Sequence, residues 1–226
     1  MTTGTRIDPS RLRDDLGVYL VTAEPVGPRT LEVITAAVRG GVRVVQLRDK
    51  INSTGDRITA LQAIRRRINS RVTVVVNDDL DAALAVPGTG LHVGADDLHP
   101  AVARERLGPA VCIGWSIQDL DQLTDDDALR AADYVAASPV WSTPTKTDTG
   151  RPFGLGGVRT LRDLLPGSMP LVGIGGIGPA NAAEVIMAGG DGVAVVSAIC
   201  GAADPQQASM ELITIVSRTI SERSRS

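Results

Sequence analysis

Short apolar runs alternate with segments of helical spacing along most of this chain, and no other feature restricts its fold as strongly. The runs are continuously apolar, as expected for parallel strands that are covered on both faces. They cover residues 18–22, 42–47, 72–76, 90–93, 110–114, 134–137, 171–174 and 192–196. The clearest helical segments cover residues 30–38, 54–68, 180–188 and 205–220. Eight such units within about 200 residues predict an α/β fold, a single-domain (β/α)8 TIM barrel, rather than a doubly wound sheet.

The extent of the domain follows from composition along the chain. Of the 226 residues, 43% are hydrophobic, which is enough for one sizeable core, and no linker or composition shift separates a second domain. We expect the core to span residues 17–222 and the polar ends, 1–13 and 222–226, to be loose. The first ten residues lack an apolar signal-peptide centre, and no run approaches the ~20 apolar residues of a membrane span. The sequence therefore predicts no membrane partner.

Charge and the scarcity of aromatic side chains argue against a nucleic-acid partner. The chain has one Phe, two Trp and two Tyr, and its net charge is −3, whereas nucleic-acid sites combine basic patches with aromatic rings. Cys112 and Cys200 have neither zinc-site nor redox spacing, and we expect buried free thiols in a cytoplasmic protein. We expect small-molecule substrates as partners. The oligomeric state stays open, and a homo-oligomer is compatible with the sequence.

The loop at residues 137–150, ASPVWSTPTKTDTG, concentrates hydroxyl groups and one lysine after a strand. Threonine hydroxyls and Lys146 in a segment rich in turn formers are typical of donors offered to an anion. A solvated surface loop is the alternative. Because strand ends carry the active site in this fold, we interpret the loop as part of a site and residues 143–150 as a candidate lid.

The second strand ends in the sequence QLRDK, residues 46–50. Gln46, Arg48 and Lys50 alternate with two other residues, so in an extended chain their three donors point the same way. Arg and Lys together suit a diphosphate. A charged strand end facing water is the alternative. Lys50 could also form a Schiff base, although its charged neighbours give little apolar surrounding to lower its pKa.

Carboxylates follow the third and fourth strands. Asp78 and Asp97 should meet at the same rim, where two carboxylates beside a polyphosphate would suit Mg2+. Either residue could instead cap a helix, although Asp79 and Asp96 are better placed as caps. His92 lies within an apolar run and is interpreted as a packed histidine.

Glycines follow the seventh strand, in GIGGIGP at residues 173–179. Glycines let backbone N–H groups approach an anion, and Pro179 would fit the first turn of a helix. With Val196 and Ser197 after the eighth strand, the loop predicts a monophosphate site. Tight turns alone are the alternative explanation for the glycines.

Six motifs together resemble the thiamine phosphate synthase family across residues 18–199. They are QLRDK (46–50), ND (77–78), HVGADD (92–97), TPTK (143–146), GIGGI (173–177) and VSA (196–198). The resemblance implies a transferase that joins 4-amino-5-hydroxymethyl-2-methylpyrimidine diphosphate to 4-methyl-5-(2-phosphoethyl)thiazole, giving thiamine phosphate and diphosphate. Diphosphate would leave first, and the thiazole nitrogen would attack the resulting pyrimidine methyl cation, with no protein nucleophile.

The resemblance also implies a role for each matching residue. The pyrimidine diphosphate would be bound by Gln46, Leu47, Arg48, Asp49, Lys50, Asn77, Ser116 and Lys146. The thiazole phosphate would be bound by Thr143, Pro144, Thr145, Gly175, Gly176, Val196 and Ser197. Asp78 and Asp97 would hold Mg2+ as the cofactor, and Arg48, Lys50 and Lys146 would be the catalytic residues.

Three other functions stay open at this stage. A thiazole tautomerase on a related barrel would bind the thiazole phosphate and transfer a proton, without needing the Asp78 and Asp97 pair. A phosphosugar isomerase or aldolase would share only the phosphate site of the last two strands. A phosphate-binding module without catalysis would need few of the polar strand ends.

Overall fold

Eight parallel strands close into a barrel in the computed structural model, which describes residues 9–142 and 151–225. Each strand pairs with the next along the chain, and β8 pairs with β1. The strands are β1 Val18–Val21, β2 Val44–Leu47, β3 Thr73–Asn77, β4 Gly90–Val93, β5 Ile113–Ile117, β6 Tyr134–Ala137, β7 Leu171–Ile174 and β8 Gly192–Val195. The predicted (β/α)8 TIM barrel is confirmed.

Helices surround the barrel, and local sequence explains where they begin. They are α1 Pro9–Asp15, α2 Pro28–Arg39, α3 Thr54–Arg67, α4 Leu80–Ala85, α5 Pro100–Leu107, α6 Asp126–Ala131, α7 Gly154–Leu164, α8 Ala182–Met187, α9 Ser197–Cys200 and α10 Pro205–Arg223, with a short 3-10 helix at Leu120–Thr124. In α3, Ser53 and Asp56 form a reciprocal capping box, which satisfies backbone donors of the first turn. No helix in the described parts of the chain has the length and apolarity to cross a bilayer.

The strand β5 lies further along the chain than the predicted 110–114. Gly108 ends α5 with a φ of 77°, and turns and bends occupy the residues that follow. Pairing with β4 then starts at Ile113, opposite Leu91. The prediction was wrong because Ala110 and Val111 are apolar but lie in the connection. As a result, Ser116 is a buried residue within a strand rather than a residue after it.

Apolar side chains fill two separate layers. The larger layer lies between the strands and the helices, and the smaller one lies inside the barrel. Leu12 and Leu16 belong to the inner layer and are 1% and 0% exposed. The prediction of a loose start was therefore wrong for Pro9–Arg13, because α1 contributes Leu12 to the core and the turn that follows it contributes Leu16. Cys112 and Cys200 are free, as predicted, but Cys112 is buried and Cys200 is only partly buried.

Asp191 holds three arginines at the end of the barrel where the strands begin. Its carboxylate lies 2.7 Å from Arg13, 3.3 Å from Arg162 and 3.7 Å from Arg223, and it accepts the backbone N–H of Leu171 at 2.9 Å. Arg223 also donates to the carbonyl of Ile186 in α8 and to that of Gly190 in the connection to β8. The prediction of loose residues from 222 onwards was thus wrong for Glu222 and Arg223, which belong to α10.

We expect Asp191→Asn to lower the free energy of unfolding by about 3 kcal/mol, because the carboxylate is buried and its loss leaves arginines without their charge partner. The amide oxygen can still accept from Leu171, so the change isolates the charge. Urea unfolding measures the effect. Asp127→Asn is the control, since Asp127 is 76% exposed beside Arg130 and should change stability by less than about 0.5 kcal/mol. Equal effects of the two substitutions would contradict the role given to Asp191.

Candidate active site

A deep pocket opens at the carboxyl ends of the strands and collects most of the predicted pyrimidine-diphosphate residues. Its lining includes Gln46, Arg48, Lys50, Asn77, Asp78, Asp97 and Ser116. Ile174 and Ala194, from β7 and β8, lie on the same lining. A neighbouring cleft of about 620 Å3 shares Lys50, Asn77 and Asp78 with this pocket. The predicted sites on β2, β3, β4 and β5 therefore form one continuous surface.

The end of β2 directs its three predicted donors into the pocket. Gln46 is 3% exposed, and the backbone N–H of Arg48 donates to Thr22 Oγ1 at 3.0 Å. Thr22 Oγ1 in turn donates to the carbonyl of Arg48 at 3.1 Å. These two bonds continue the pairing of β1 with β2 beyond the strands. Gln46, Arg48 and Lys50 all line the pocket, as expected for side chains that share a direction.

Glu24 is a site residue that sequence reasoning missed. One carboxylate oxygen accepts from Arg48 Nη1, and the other accepts from the backbone N–H of Lys50. Glu24 therefore fixes the guanidinium that was predicted to bind phosphate. The available signal was its position just beyond Thr22, at a strand end. An anion site is expected to contain basic residues, so a lone acidic residue there was not recognised.

Asp78 occupies a strained position beside a second carboxylate. Its φ is 60°, a left-handed conformation that Asp adopts more readily than most residues. Burial raises the pKa of Asp78 to about 6, and the neighbouring Asp97 adds to the rise while Lys50 opposes it. Lys50 Nζ lies 3.6 Å from Asp78 Oδ2, and Asn77 Nδ2 donates to the same oxygen. Asp97 Oδ2 accepts the backbone N–H of Gly94 at 2.8 Å.

Two adjacent carboxylates fit a magnesium ion that takes its other ligands from phosphate and water. Burial, and then the neighbouring Asp97, raise the pKa of Asp78, and a bound cation would favour the ionised carboxylate. Within residues 9–142 and 151–225, no group of three or more His, Cys, Asp or Glu side chains is arranged to hold a metal. A metal ion held by Asp78 and Asp97 would therefore need further ligands from phosphate and water.

Of the two acidic residues predicted to cap helices, Asp79 and Asp96, only Asp79 does so. Asp79 caps α4 by accepting the N–H of Ala82 at 2.9 Å, as predicted, and Arg57 binds its other oxygen at 2.6 Å. Asp96 does not cap α5, contrary to expectation. His99 does so, accepting the N–H of Ala101 at 3.2 Å, because Pro100 starts the helix.

Leu47 and Asp49 point away from the deep pocket. Leu47 is 0% exposed and packs in the layer between strands and helices. The carboxylate of Asp49 is occupied by its own turn, where it accepts from the backbone of Ile51 and Asn52 at 3.1 Å and from Asn52 Nδ2 at 2.6 Å. Any contact of Leu47 with a ligand in the deep pocket would therefore use its backbone.

The glycine loop after β7 requires glycine at two positions. Gly175 has a φ of 106° and Gly176 a φ of 66°, and a Cβ at Gly175 would lie 2.7 Å from Pro139 Cβ. Asn181 accepts from Gly178 N and donates to Gly176 O, both at 2.9 Å. This turn delays α8 to Ala182, so Pro179 lies before the helix and not in its first turn as predicted.

The β7 and β8 loops meet as predicted. A Cβ at Gly178 would lie 3.9 Å from Ala198 Cβ, in the short helix α9 that begins at Ser197 directly after Val196. Thr143, Pro144, Thr145 and Lys146 lie outside the described residues, as does the rest of the proposed lid.

Two tyrosines inside the barrel mouth were also missed. Tyr19 lines the deep pocket, and its hydroxyl lies 2.8 Å from that of Tyr134; the two residues are 1% and 0% exposed. His92, at 6% exposed, is packed as predicted, but both ring nitrogens are hydrogen-bonded, one to Tyr134 and one to Ser116. The signal was a pair of tyrosines, one in each of two otherwise aliphatic strands.

The family model described as thiamine monophosphate synthase matches residues 18–199. The chain belongs to the thiamine monophosphate synthase family. The thiamine-phosphate synthase of Albidiferax ferrireducens is 44% identical over 204 residues, covering 89% of this chain and 92% of that protein. That of Moorella thermoacetica is 42% identical over 205 residues, covering 90% and 96%. These synthases are transferases, and the predicted enzyme class is confirmed.

Solved structures agree with the family assignment. The thiamine phosphate pyrophosphorylase of Pyrococcus furiosus superposes with a TM-score of 0.81 at 33% identity, covering 92% of this chain and 99% of that one. The native KDPGal structure superposes with a TM-score of 0.62 at 16% identity, which shows a shared barrel and nothing about activity. The resemblance that the sequence motifs predicted is therefore confirmed.

The raised pKa of Asp78 predicts how this synthase-family barrel responds to pH when metal is removed. Folding raises the pKa from 3.8 to about 6, so the protonated form contributes stability below pH 3.8 that is lost as the pH rises through about 6. We expect Asp78→Asn to be more stable than the wild type by about 1 kcal/mol at pH 8 in EDTA, after allowance for solvent screening. The gain should shrink as the pH falls to 4.

Thermal and urea unfolding at several pH values measure this effect. Asp96→Asn is the matched control, because Asp96 is an exposed neighbour of Asp97 in the same loop, and it should change stability by the same small amount at every pH. A pH-independent effect of Asp78→Asn, or a loss of stability at pH 8, would contradict the raised pKa attributed to Asp78.

Proposed function

We propose that this chain joins a pyrimidine diphosphate to a thiazole phosphate and releases diphosphate, giving thiamine phosphate. The observation that carries the proposal is the convergence of Arg48, Lys50, Asp78 and Asp97 on one pocket rim. Cations and a carboxylate pair together are the donor set for a metal-bound diphosphate. A proton-transferring tautomerase or a simple phosphate-binding module would not require this combination.

The cations of the site are positioned before substrate arrives. Arg48 is held by Glu24, and Lys50 faces Asp78. A bound diphosphate would engage the guanidinium and the ammonium where these carboxylates already hold them, so the two groups would need little reorganisation. Preorganised charge of this kind lowers the free energy of a transition state in which a leaving group becomes more negative.

The reaction breaks the C–O bond between the pyrimidine methylene and the diphosphate, and the diphosphate keeps the electron pair. The thiazole nitrogen then supplies the pair for the new C–N bond, so no protein nucleophile is needed. Mg2+ held by Asp78 and Asp97 would neutralise charge on the phosphate oxygens. Arg48 and Lys50 bind the departing group, and Gln46 and Ser116 orient the pyrimidine ring from the pocket floor.

The second substrate would bind toward β7 and β8. Ile174 and Ala194 belong both to these strands and to the lining of the deep pocket, so a phosphate beside Gly175, Gly176 and Ser197 would be near the pyrimidine. By family resemblance, Thr143, Pro144 and Thr145 would bind the same phosphate and Lys146 the diphosphate. Residues 143–150 would shield the pyrimidine methyl cation from water.

Product analysis tests the proposal. We expect thiamine phosphate and diphosphate in equal amounts when the protein is mixed with both substrates and Mg2+, and no turnover with EDTA. Formation of neither product by folded protein would overturn the proposal and direct the next assay to thiazole tautomerisation. Trapping of a lysine adduct by borohydride would instead support an aldolase.

Asp97→Asn tests the metal assignment against a matched neighbour. We expect kcat/KM to fall about 100-fold and the Mg2+ concentration for half-maximal rate to rise, because the substitution removes one charged ligand. The amide oxygen can still accept from Gly94, so the loop should keep its shape. Asp96→Asn should stay within about twofold of the wild type. Similar losses in both variants would contradict the assignment.

A further inference from the structure

Five polar side chains inside the barrel mouth form one continuous chain of hydrogen bonds. Gln46 Nε2 donates to Tyr19 OH at 2.6 Å, and Tyr19 OH lies 2.8 Å from Tyr134 OH. Tyr134 OH lies 2.8 Å from His92 Nδ1, and His92 Nε2 lies 2.9 Å from Ser116 Oγ. The two ends, Gln46 and Ser116, are the residues assigned to the pyrimidine ring. The three middle residues have no role in the reaction described above.

Burial makes the direction of each bond in this chain consequential. All five side chains belong to residues that are 7% exposed or less. Burial raises the pKa of Tyr19 and of Tyr134 well above the usual range, so both phenols keep their protons. Because an unpaired buried hydroxyl costs free energy, each hydrogen of the chain requires an acceptor.

The barrel wall leaves space for the hydrogen bond between Tyr134 and His92. His92, Gly114 and Tyr134 are paired side by side on three neighbouring strands. A Cβ at Gly114 would lie 2.3 Å from Tyr134 OH and 2.5 Å from His92 Nδ1. Only glycine leaves room for the two flanking side chains to meet across β5.

One arrangement of hydrogens satisfies the whole chain. Since Gln46 donates to Tyr19, the Tyr19 hydrogen must be donated to Tyr134, and the Tyr134 hydrogen to His92 Nδ1. A neutral imidazole that accepts at Nδ1 carries its proton on Nε2 and donates to Ser116 Oγ. Ser116 can then donate its own hydrogen into the pocket, while the Gln46 amide oxygen remains available as an acceptor.

We propose that this chain of hydrogen bonds, from Gln46 to Ser116, sets the hydrogen-bonding polarity of the pyrimidine pocket. The pocket would thereby select an aminopyrimidine over its oxo analogue. An aminopyrimidine donates through its amino group and accepts at the ring nitrogen, which complements an acceptor at Gln46 and a donor at Ser116. An oxopyrimidine presents the opposite pattern. Tyr19, Tyr134 and His92 are positioning residues, and their role rests on the proposed function.

Nitrogen NMR of the ligand-free protein tests the polarity without any activity. The chain has two histidines, so 15N-labelled imidazoles give two sets of signals, and His99→Asn assigns them. We expect His92 to be neutral with its proton on Nε2. Tyr134→Phe should change this pattern because it removes the donor to Nδ1, whereas Tyr19→Phe should preserve it. A His92 protonated on Nδ1 in the wild type would overturn the proposal.

Kinetics test the consequence for specificity. We expect Tyr134→Phe to raise KM for the pyrimidine diphosphate about tenfold and to reduce discrimination against the 4-oxo analogue by a similar factor, with KM for the thiazole phosphate unchanged. Unchanged discrimination in a variant that melts like the wild type would overturn the proposal. If Tyr134→Phe does not fold, Tyr19→Phe must show the reduced discrimination against the 4-oxo analogue, because it removes the acceptor that orients Gln46.

The two proposals fail in different ways. If the wild type makes no thiamine phosphate, the proposed function fails, and the NMR result still decides the polarity of the chain. If the wild type is active and both tyrosine variants discriminate normally, the function stands and the positioning role is overturned.

Discussion

The pairing that closes the barrel is the constraint on which the rest of the structure depends. Parallel hydrogen bonding fixes the register of every strand against its neighbours, from Tyr19 opposite Val44 to Tyr19 opposite Ala194. Because all strands run in one direction, residues that are distant in sequence meet at one rim. The pocket exists because this register brings the ends of β2, β3, β4 and β5 to the same height.

The pocket itself is a balance of opposed charges. Glu24 and Asp78 partner Arg48 and Lys50 before any ligand binds, and burial together with Asp97 makes Asp78 difficult to ionise. A diphosphate with a divalent cation complements both halves of this arrangement, since the cation relieves the carboxylates and the phosphates engage the basic groups. Asp78 is therefore a position where local stability is lower than it could be, as is common at functional sites.

Periodicity in the sequence was sufficient for the fold, and strand-end chemistry for most of the site. Continuous apolar runs located seven strands closely, but β5 shifted because Ala110 and Val111 resemble strand residues while Gly108 sets a turn. The polar start of the chain concealed Leu12 and Leu16, because two leucines in and just after so short a helix give little periodic signal. Glu24 was missed because its role is to hold Arg48. Only the three-dimensional pairing of β1 and β2 brings these two residues together. The tyrosine chain was missed for the same reason.

Equilibrium binding of inorganic diphosphate tests the central claim that this rim is a metal-dependent diphosphate site. Isothermal titration calorimetry of the wild type with Mg2+ should give clear binding that EDTA abolishes, and Asp78→Asn should bind with Mg2+ no better than the wild type does in EDTA. Binding of equal strength with and without Mg2+, or none under either condition, would contradict the account.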